Sequence, residues 1–164
     1  MSDGKRILNQ IHDYRATNVI GFIAMTATIH QERSQGPEIR APEVRFNVDW
    51  GSKVDIWGLG VMVRDIFEDR HLFDARDEDG GYSPSHHVAE MVAYLGLPPV
   101  SFVRRSKWLG AGGVTVPATS LQEVEENLTG ENQQMFLEFM RSMLQWIPEK
   151  RKTAQELLDD AWLN

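Results

Sequence analysis

One segment, residues 53–69, is apolar around almost its whole circumference, and this feature constrains the fold more than any other. Ser52 and Asp55 stand three residues apart where the segment starts, which is the spacing of a capping box that opens a helix. A helix that is apolar on every side lies in the middle of a domain. We therefore predict a domain built around a central helix, whose apolar residues are Val54, Ile56, Trp57, Leu59, Val61, Met62, Val63, Ile66 and Phe67.

Several weaker patterns predict further helices and make the domain mainly α. Ser83-Pro84 opens a helix that runs to Leu95, where Gly96 ends it. Residues 131–146 are amphipathic, and Ser120/Glu123 and Thr153/Glu156 have capping-box spacing for a short helix and for a last helix ending near Trp162. Residues 68–81 are predicted as a surface loop, residues 100–118 as irregular, and a short hairpin is expected before residue 35.

Composition excludes several classes of function. The 164 residues fit one domain, and a net charge of −7 argues against a nucleic-acid-binding surface. There is no cysteine, so disulfides, zinc–thiolate sites and a thiol nucleophile are excluded. The longest uncharged apolar stretch, residues 19–29, is too short to span a bilayer. We expect an intracellular protein of the cytoplasm or nucleus that binds neither membrane nor nucleic acid.

Three motifs in a fixed order carry a family resemblance. They are Ala41-Pro42-Glu43, then Asp55-Ile56-Trp57-Gly58-Leu59-Gly60, then Ile147-Pro148-Glu149-Lys150-Arg151. Together they resemble the C-terminal lobe of the eukaryotic serine/threonine protein kinases. Arg40 before the first motif and the run at residues 147–154 are most similar to the SR-protein kinases and their fungal relatives. The resemblance implies a helical lobe over residues 36–164 without an N-terminal lobe, preceded at residues 1–35 by a degenerate catalytic-loop and activation-segment region.

The resemblance also implies scaffold roles for five residues. Glu43 would pair with Arg151, and we predict a buried or half-buried ion pair between them. Asp55 would hold the backbone of the catalytic loop from the start of the central helix. Trp57 and Gly60 would be packing positions of that helix.

A catalytic loop is the role that the resemblance implies for residues 11–20. Asp13 would be the base that accepts the substrate hydroxyl proton, Arg15 would steady the transferred phosphoryl group, and Asn18 would hold a magnesium ion. ATP and magnesium are therefore the cofactors expected at family level. The alternative for this short pattern is an exposed polar turn.

Elements needed for phosphoryl transfer are missing from the sequence. The chain has no Gly-rich loop and no V-A-I-K lysine, and Ala24-Met25-Thr26 stands where Asp-Phe-Gly is expected. We therefore expect this chain to be inactive alone and to bind neither ATP nor magnesium by itself. The helix before the catalytic loop would also be missing, which predicts an exposed apolar patch on the central helix. The alternatives are a non-catalytic interaction module and an incomplete gene product without function.

A substrate-docking role is implied by resemblance for Arg40 and Glu90. SR-protein kinases act on arginine-rich segments and carry an acidic docking groove. Here that groove could draw on Glu90 and on the acidic run at residues 68–79, with an Arg/Ser-rich protein or another protein as partner. The alternative is that the acidic run is a solvated loop.

Overall fold

The structure is a computed structural model that describes residues 39–68, 70–106 and 112–163, except for the side chain of Ile66. The hairpin expected before residue 35 and the whole of the predicted region 1–35 lie outside these ranges. Within them, β-structure is limited to one isolated antiparallel bridge between Arg76 and Tyr82. The described part of the chain is therefore mainly α, as predicted.

Six α-helices and one 3₁₀-helix follow one another through the described ranges. They are α1 (Pro42–Arg45), α2 (Lys53–Glu68), α3 (Pro84–Leu95), α4 (Val100–Arg105), α5 (Gly130–Met143), the 3₁₀-helix Pro148–Lys150, and α6 (Ala154–Leu158). None of these helices is long and apolar enough to cross a membrane.

The central position predicted for residues 53–69 is confirmed by α2. Trp57 is completely buried, and Val61 and Phe67 are almost so. The indole of Trp57 stacks on the ring of Phe73, with centroids 5.9 Å apart, and Phe67 stacks on Phe136 at 4.6 Å. The core therefore forms around this helix because its apolar side chains face neighbours in several directions.

Helix α5 packs closely against α2 through one apolar stripe. The stripe predicted from the sequence, Phe136, Phe139, Met140, Met143 and Leu144, is buried throughout. At Gly60 of α2 the two elements approach so closely that an added Cβ would lie 3.1 Å from both Met143 Cβ and Leu144 Cδ2. A larger residue at this position would therefore require Met143 and Leu144 to shift by a few tenths of an ångström.

The capping signals of α3 and α6 form as predicted. The Ser83 side chain accepts a hydrogen bond from the His86 N–H, Pro84 occupies the first turn, and Gly96 ends α3 with a φ of 74°. Thr153 and Glu156 form a reciprocal capping box at the start of α6. Both starts are thus encoded locally.

Three boundary predictions were wrong. Residues 100–105, predicted as irregular, form α4, which buries Phe102. The Ser120 hydroxyl accepts from the Glu123 N–H, but this cap begins a turn and not a helix. The last helix ends at Leu158, and residues 161–163 are a turn.

Two predictions about exposure also fail. The loop after α2 is not wholly a surface loop, because Leu72, Phe73 and Ala75 are buried while the acidic residues that follow are exposed. The exposed apolar patch predicted on the central helix is not there, since every described side chain of α2 is buried or half-buried. Phe73 accounts for part of this cover by stacking on Trp57.

Candidate functional site

The candidate site begins at Glu43, which a short helix carries into the interior. Ala41 is extended and Pro42 follows it in the first turn of α1, where a proline nitrogen has no N–H to leave unpaired. The Val48 N–H donates to the Glu43 carbonyl at 2.8 Å, which folds the following segment back over the helix. The Glu43 side chain is fully buried.

Arg151 is the partner of that carboxylate, as predicted. Arg151 Nη1 donates to Glu43 Oε1 at 2.6 Å and Nη2 donates to Oε2 at 2.7 Å, in a bidentate pair between two fully buried side chains. Nε and Nη2 also donate to the Gln145 carbonyl, at 3.1 and 2.9 Å. The planar guanidinium fork thus joins segments that are 108 positions apart in sequence.

The same arginine holds the first turn of α2. Arg151 Nη1 donates to the Lys53 carbonyl at 2.7 Å, and Lys53 Nζ returns a bond to the Arg151 carbonyl at 2.6 Å. Asp55 stands half-buried two residues further along this turn. Its predicted partner, the backbone of the catalytic loop at residues 11–20, lies outside the described residues, so the role of Asp55 stays a prediction.

Trp57 packs against the guanidinium group of Arg151. The guanidinium carbon of Arg151 lies 5.2 Å from the centroid of the indole, within cation–π range. The same indole also stacks on Phe73. A packing role of Trp57 therefore includes shielding the ion pair from water, which strengthens its electrostatic attraction.

Arg64 is a buried cation that the sequence patterns did not predict. It is only 3% exposed, and it donates from Nη2 to the Val124 carbonyl at 2.8 Å and from Nη1 to the Arg70 carbonyl at 3.2 Å. Burial lowers the pKa of Arg64 below its ordinary value, and nearby Glu68 opposes this. The available signal was the charged pair Arg64-Asp65 between apolar residues of the helix, and here Arg64 joins the loop before α5 to α2.

Glu90 and Arg40 have different surroundings. Both oxygens of Glu90 accept from the Ala75 N–H, at 3.2 and 3.1 Å, and burial raises the pKa of this carboxyl above its ordinary value. The carboxylate thereby supports the loop that carries Phe73. Arg40 is half-buried just before α1. A docking role for either residue remains a prediction.

The predicted chemical residues Asp13, Arg15 and Asn18 lie outside the described residues. In the part of the chain that the structure describes, no group of three or more His, Asp or Glu side chains could hold a metal ion. The described site fixes the Ala-Pro-Glu segment, the start of the central helix and the Pro148–Lys150 turn as one unit.

Comparison with solved structures assigns this arrangement to a fold class. A MAP kinase of Leishmania major superposes with a TM-score of 0.60 at 21% sequence identity, over 78% of this chain and 37% of that one. The helical lobe with its buried Glu–Arg pair therefore has a protein-kinase-like fold.

Comparison of sequences then shows the family. The protein kinase domain matches residues 23–163, and the chain belongs to the protein kinase family. A serine/threonine protein kinase of Aspergillus fumigatus is 44% identical over 85% of this chain and 38% of its own length. The serine/threonine-protein kinase SRPK of Physarum polycephalum is 27% identical over 79% of this chain and 33% of its own. The chain thus spans less than two fifths of the length of these relatives.

Proposed function

We propose that this chain supplies the helical scaffold lobe of a serine/threonine protein kinase of the SR-protein-kinase-like group. The reaction at family level is ATP-dependent transfer of a phosphoryl group to a protein serine or threonine. The observation that carries the proposal is the buried pair of Glu43 and Arg151 together with its bond to the Lys53 carbonyl. It fixes the turn from which Asp55 would hold a catalytic loop.

The scaffold role is distinct from chemistry in this chain. Phosphoryl transfer depends on positioning and on magnesium ions that offset charge on the transferred group. The 164 residues contain no Gly-rich loop, no V-A-I-K lysine and no Asp-Phe-Gly aspartate. We therefore propose that the isolated chain transfers no phosphate, although its lobe is built to support the reaction.

A radiolabelled-ATP assay with an Arg/Ser-rich peptide tests the inactivity of the isolated chain. The expected result is no incorporation above a protein-free control. Turnover by the parent chain that disappears in Asp13→Asn would overturn the proposal and identify Asp13 as the base. Turnover that survives Asp13→Asn would indicate a contaminating kinase. The protein would then be purified again and the assay repeated.

A chimera tests the scaffold role itself. Residues 39–163 of this chain replace the matching segment of the Aspergillus fumigatus relative, which supplies the rest of a kinase. We expect the chimera to phosphorylate a peptide that the relative phosphorylates, and Asp55→Asn to lower kcat while the thermal midpoint stays within a few degrees. Asp159→Asn, an exposed aspartate in the cap of α6, is the matched control. A folded but inactive chimera contradicts the scaffold role.

The second candidate is a module that binds a basic peptide without nucleotide. The exposed acidic residues after α2 favour it, since Asp74, Asp77, Glu78 and Asp79 all face solvent. Such binding would weaken with salt, because exposed charges are screened over roughly 8 Å at physiological ionic strength. Titration calorimetry with an Arg/Ser-rich peptide at low and high salt tests this candidate. Absent or salt-independent binding rules it out.

A further inference from the structure

An exposed apolar surface follows the end of α3. The Leu97 side chain is 80% exposed and that of Val100 is 66% exposed, three residues later in the first turn of α4. Val100 and Arg104 are four residues apart on α4, which puts them on one face, and Arg104 is also exposed. We name these three exposed residues, Leu97, Val100 and Arg104, which lie within eight positions of one another, the Leu97 patch.

Residues next to the patch make buried contacts with distant parts of the chain. Trp146 donates its indole N–H to the Gly96 carbonyl at 3.0 Å, although 50 positions separate the two residues. Phe102, on the inner side of α4, is buried against Trp146 and Phe46, with ring centroids 5.5 and 5.8 Å away. Pro98 and Pro99 further restrict the backbone between the two exposed side chains. A surface ordered before binding loses little conformational entropy when a partner arrives.

The charge of this region is opposite to that of the whole chain. Residues 91–122 contain three of the 17 basic residues and none of the 24 acidic residues. Arg105 lies beside Arg104 on α4, 55% exposed, and its only ion pair within the described residues is with Glu149 at 3.6 Å. A cationic and apolar surface on an otherwise acidic protein selects by charge for an acidic partner.

We propose that the Leu97 patch binds an acidic peptide segment that carries an aliphatic or aromatic side chain. The apolar side chain would cover Leu97 and Val100, and a carboxylate would pair with the Arg104 guanidinium, whose fork donates to both oxygens. This inference does not depend on the proposed kinase function, and the ligand it names has the opposite charge to an Arg/Ser-rich substrate.

Selection from a displayed library of random 12-residue peptides on the immobilised chain tests the proposal. We expect the enriched peptides to combine acidic residues with at least one aliphatic or aromatic residue. Binding of an enriched peptide, measured by fluorescence polarisation, should weaken at least tenfold in Leu97→Ser and in Arg104→Glu. Circular dichroism should show unchanged folding, because both side chains are exposed.

Arg76→Glu is the matched control. Arg76 lies in the bridge with Tyr82, next to the start of α3, while Leu97 follows its end. The 12 residues of α3 separate the two ends by about 18 Å at 1.5 Å per residue. The control should bind the peptide as the parent does.

Four outcomes would overturn the proposal. They are failure to enrich any acidic peptide, affinity for an enriched acidic peptide that Leu97→Ser and Arg104→Glu leave unchanged, equal loss of binding in Arg76→Glu, and a dimer of this chain that Leu97→Ser dissociates. The last is measured by analytical ultracentrifugation and would assign the patch to contact between two copies.

Discussion

Replacing Arg151 by methionine should destabilise the fold severely. The substitution leaves the fully buried Glu43 carboxylate without its cation, which typically costs ~3–5 kcal/mol. It also removes the hydrogen bonds that the Lys53 and Gln145 carbonyls accept from Arg151. Against a total stability of about 5–15 kcal/mol for a domain, this loss removes a large fraction of the folded population.

Glu43→Gln should cost less, about 1.5–3 kcal/mol. The glutamine oxygen can still accept one bond from Arg151, and the guanidinium keeps its two carbonyl partners and the indole of Trp57. The double variant should lose less than the sum of the two singles, by roughly 0.5–3 kcal/mol, since neither charge is then left alone. This asymmetry between the two single variants follows directly from the larger number of bonds that Arg151 makes.

Urea unfolding followed by far-ultraviolet circular dichroism measures all three variants. Tryptophan fluorescence is a poorer probe, because Arg151 lies 5.2 Å from the Trp57 ring and its removal changes the emission directly. Arg76→Met, at a 62% exposed arginine, is the control and should change stability by less than about 0.5 kcal/mol. If Arg151→Met does not fold, Arg151→Lys replaces it in the comparison of the single and double variants. Lysine keeps the charge but lacks the planar guanidinium fork. Additive losses, or a loss from Arg151→Met no larger than the control's, would refute the reasoning.

Three further outcomes are expected. Gly60→Val should cost about 1–3 kcal/mol in urea unfolding, because its Cβ would lie 3.1 Å from Leu144 Cδ2; a variant as stable as the parent contradicts that close approach. Glu90 has a raised pKa, so the folded state keeps this proton at pH values where the unfolded state has already released it. The parent should therefore lose some stability as the pH rises from about 4.5, and Glu90→Gln should not show this loss. The measurement is the thermal midpoint of the parent and of Glu90→Gln at pH 4 to 7, and parallel curves of midpoint against pH would contradict this prediction. Thr153→Ala should lower stability by about 1 kcal/mol through loss of the cap, while Thr153→Ser should retain most of it.

The central helix and two helix starts were predictable because their causes are local. An apolar circumference fixes where α2 lies, and the Ser83 and Thr153 side chains bond to N–H groups within three residues of themselves. The Glu43–Arg151 contact was predictable for another reason. Its two members lie far apart in sequence, and only the family resemblance at both ends connected them.

Helix α4 could not be predicted from its own residues. Two prolines precede it and glycines follow at positions 110, 112 and 113, which is the composition of an irregular segment. The six-residue helix is too short to be stable by itself, so its stability comes from burying Phe102 against Phe46 and Trp146. Those partners are more than 40 positions away in both directions.

The helix expected after Ser120 fails because distant arginines compete for its backbone. The Val124 carbonyl, which would continue the helix, accepts instead from Arg64 and Arg70, each at 2.8 Å. The Glu125 carboxylate accepts hydrogen bonds from the N–H groups of Asn127 and Leu128, at 2.8 and 2.7 Å. A correct local capping signal was thus overridden in two ways: by tertiary bonds from Arg64 and Arg70, which no short sequence window contains, and by the local bonds of the Glu125 carboxylate.

The residues that identify the family and the residues that would perform its chemistry are different sets in this chain. Glu43, Trp57 and Arg151 are buried side chains whose contacts hold three segments together. A stable lobe needs such residues whether or not phosphate is transferred, because loss of any one strands a buried charge or leaves a cavity. Membership of the protein kinase family is shown by the domain match over residues 23–163, while the dependence of activity on Asp13 and Asn18 stays a prediction. Stability measurements on Arg151 variants and phosphorylation assays on Asp13 variants test the two properties separately.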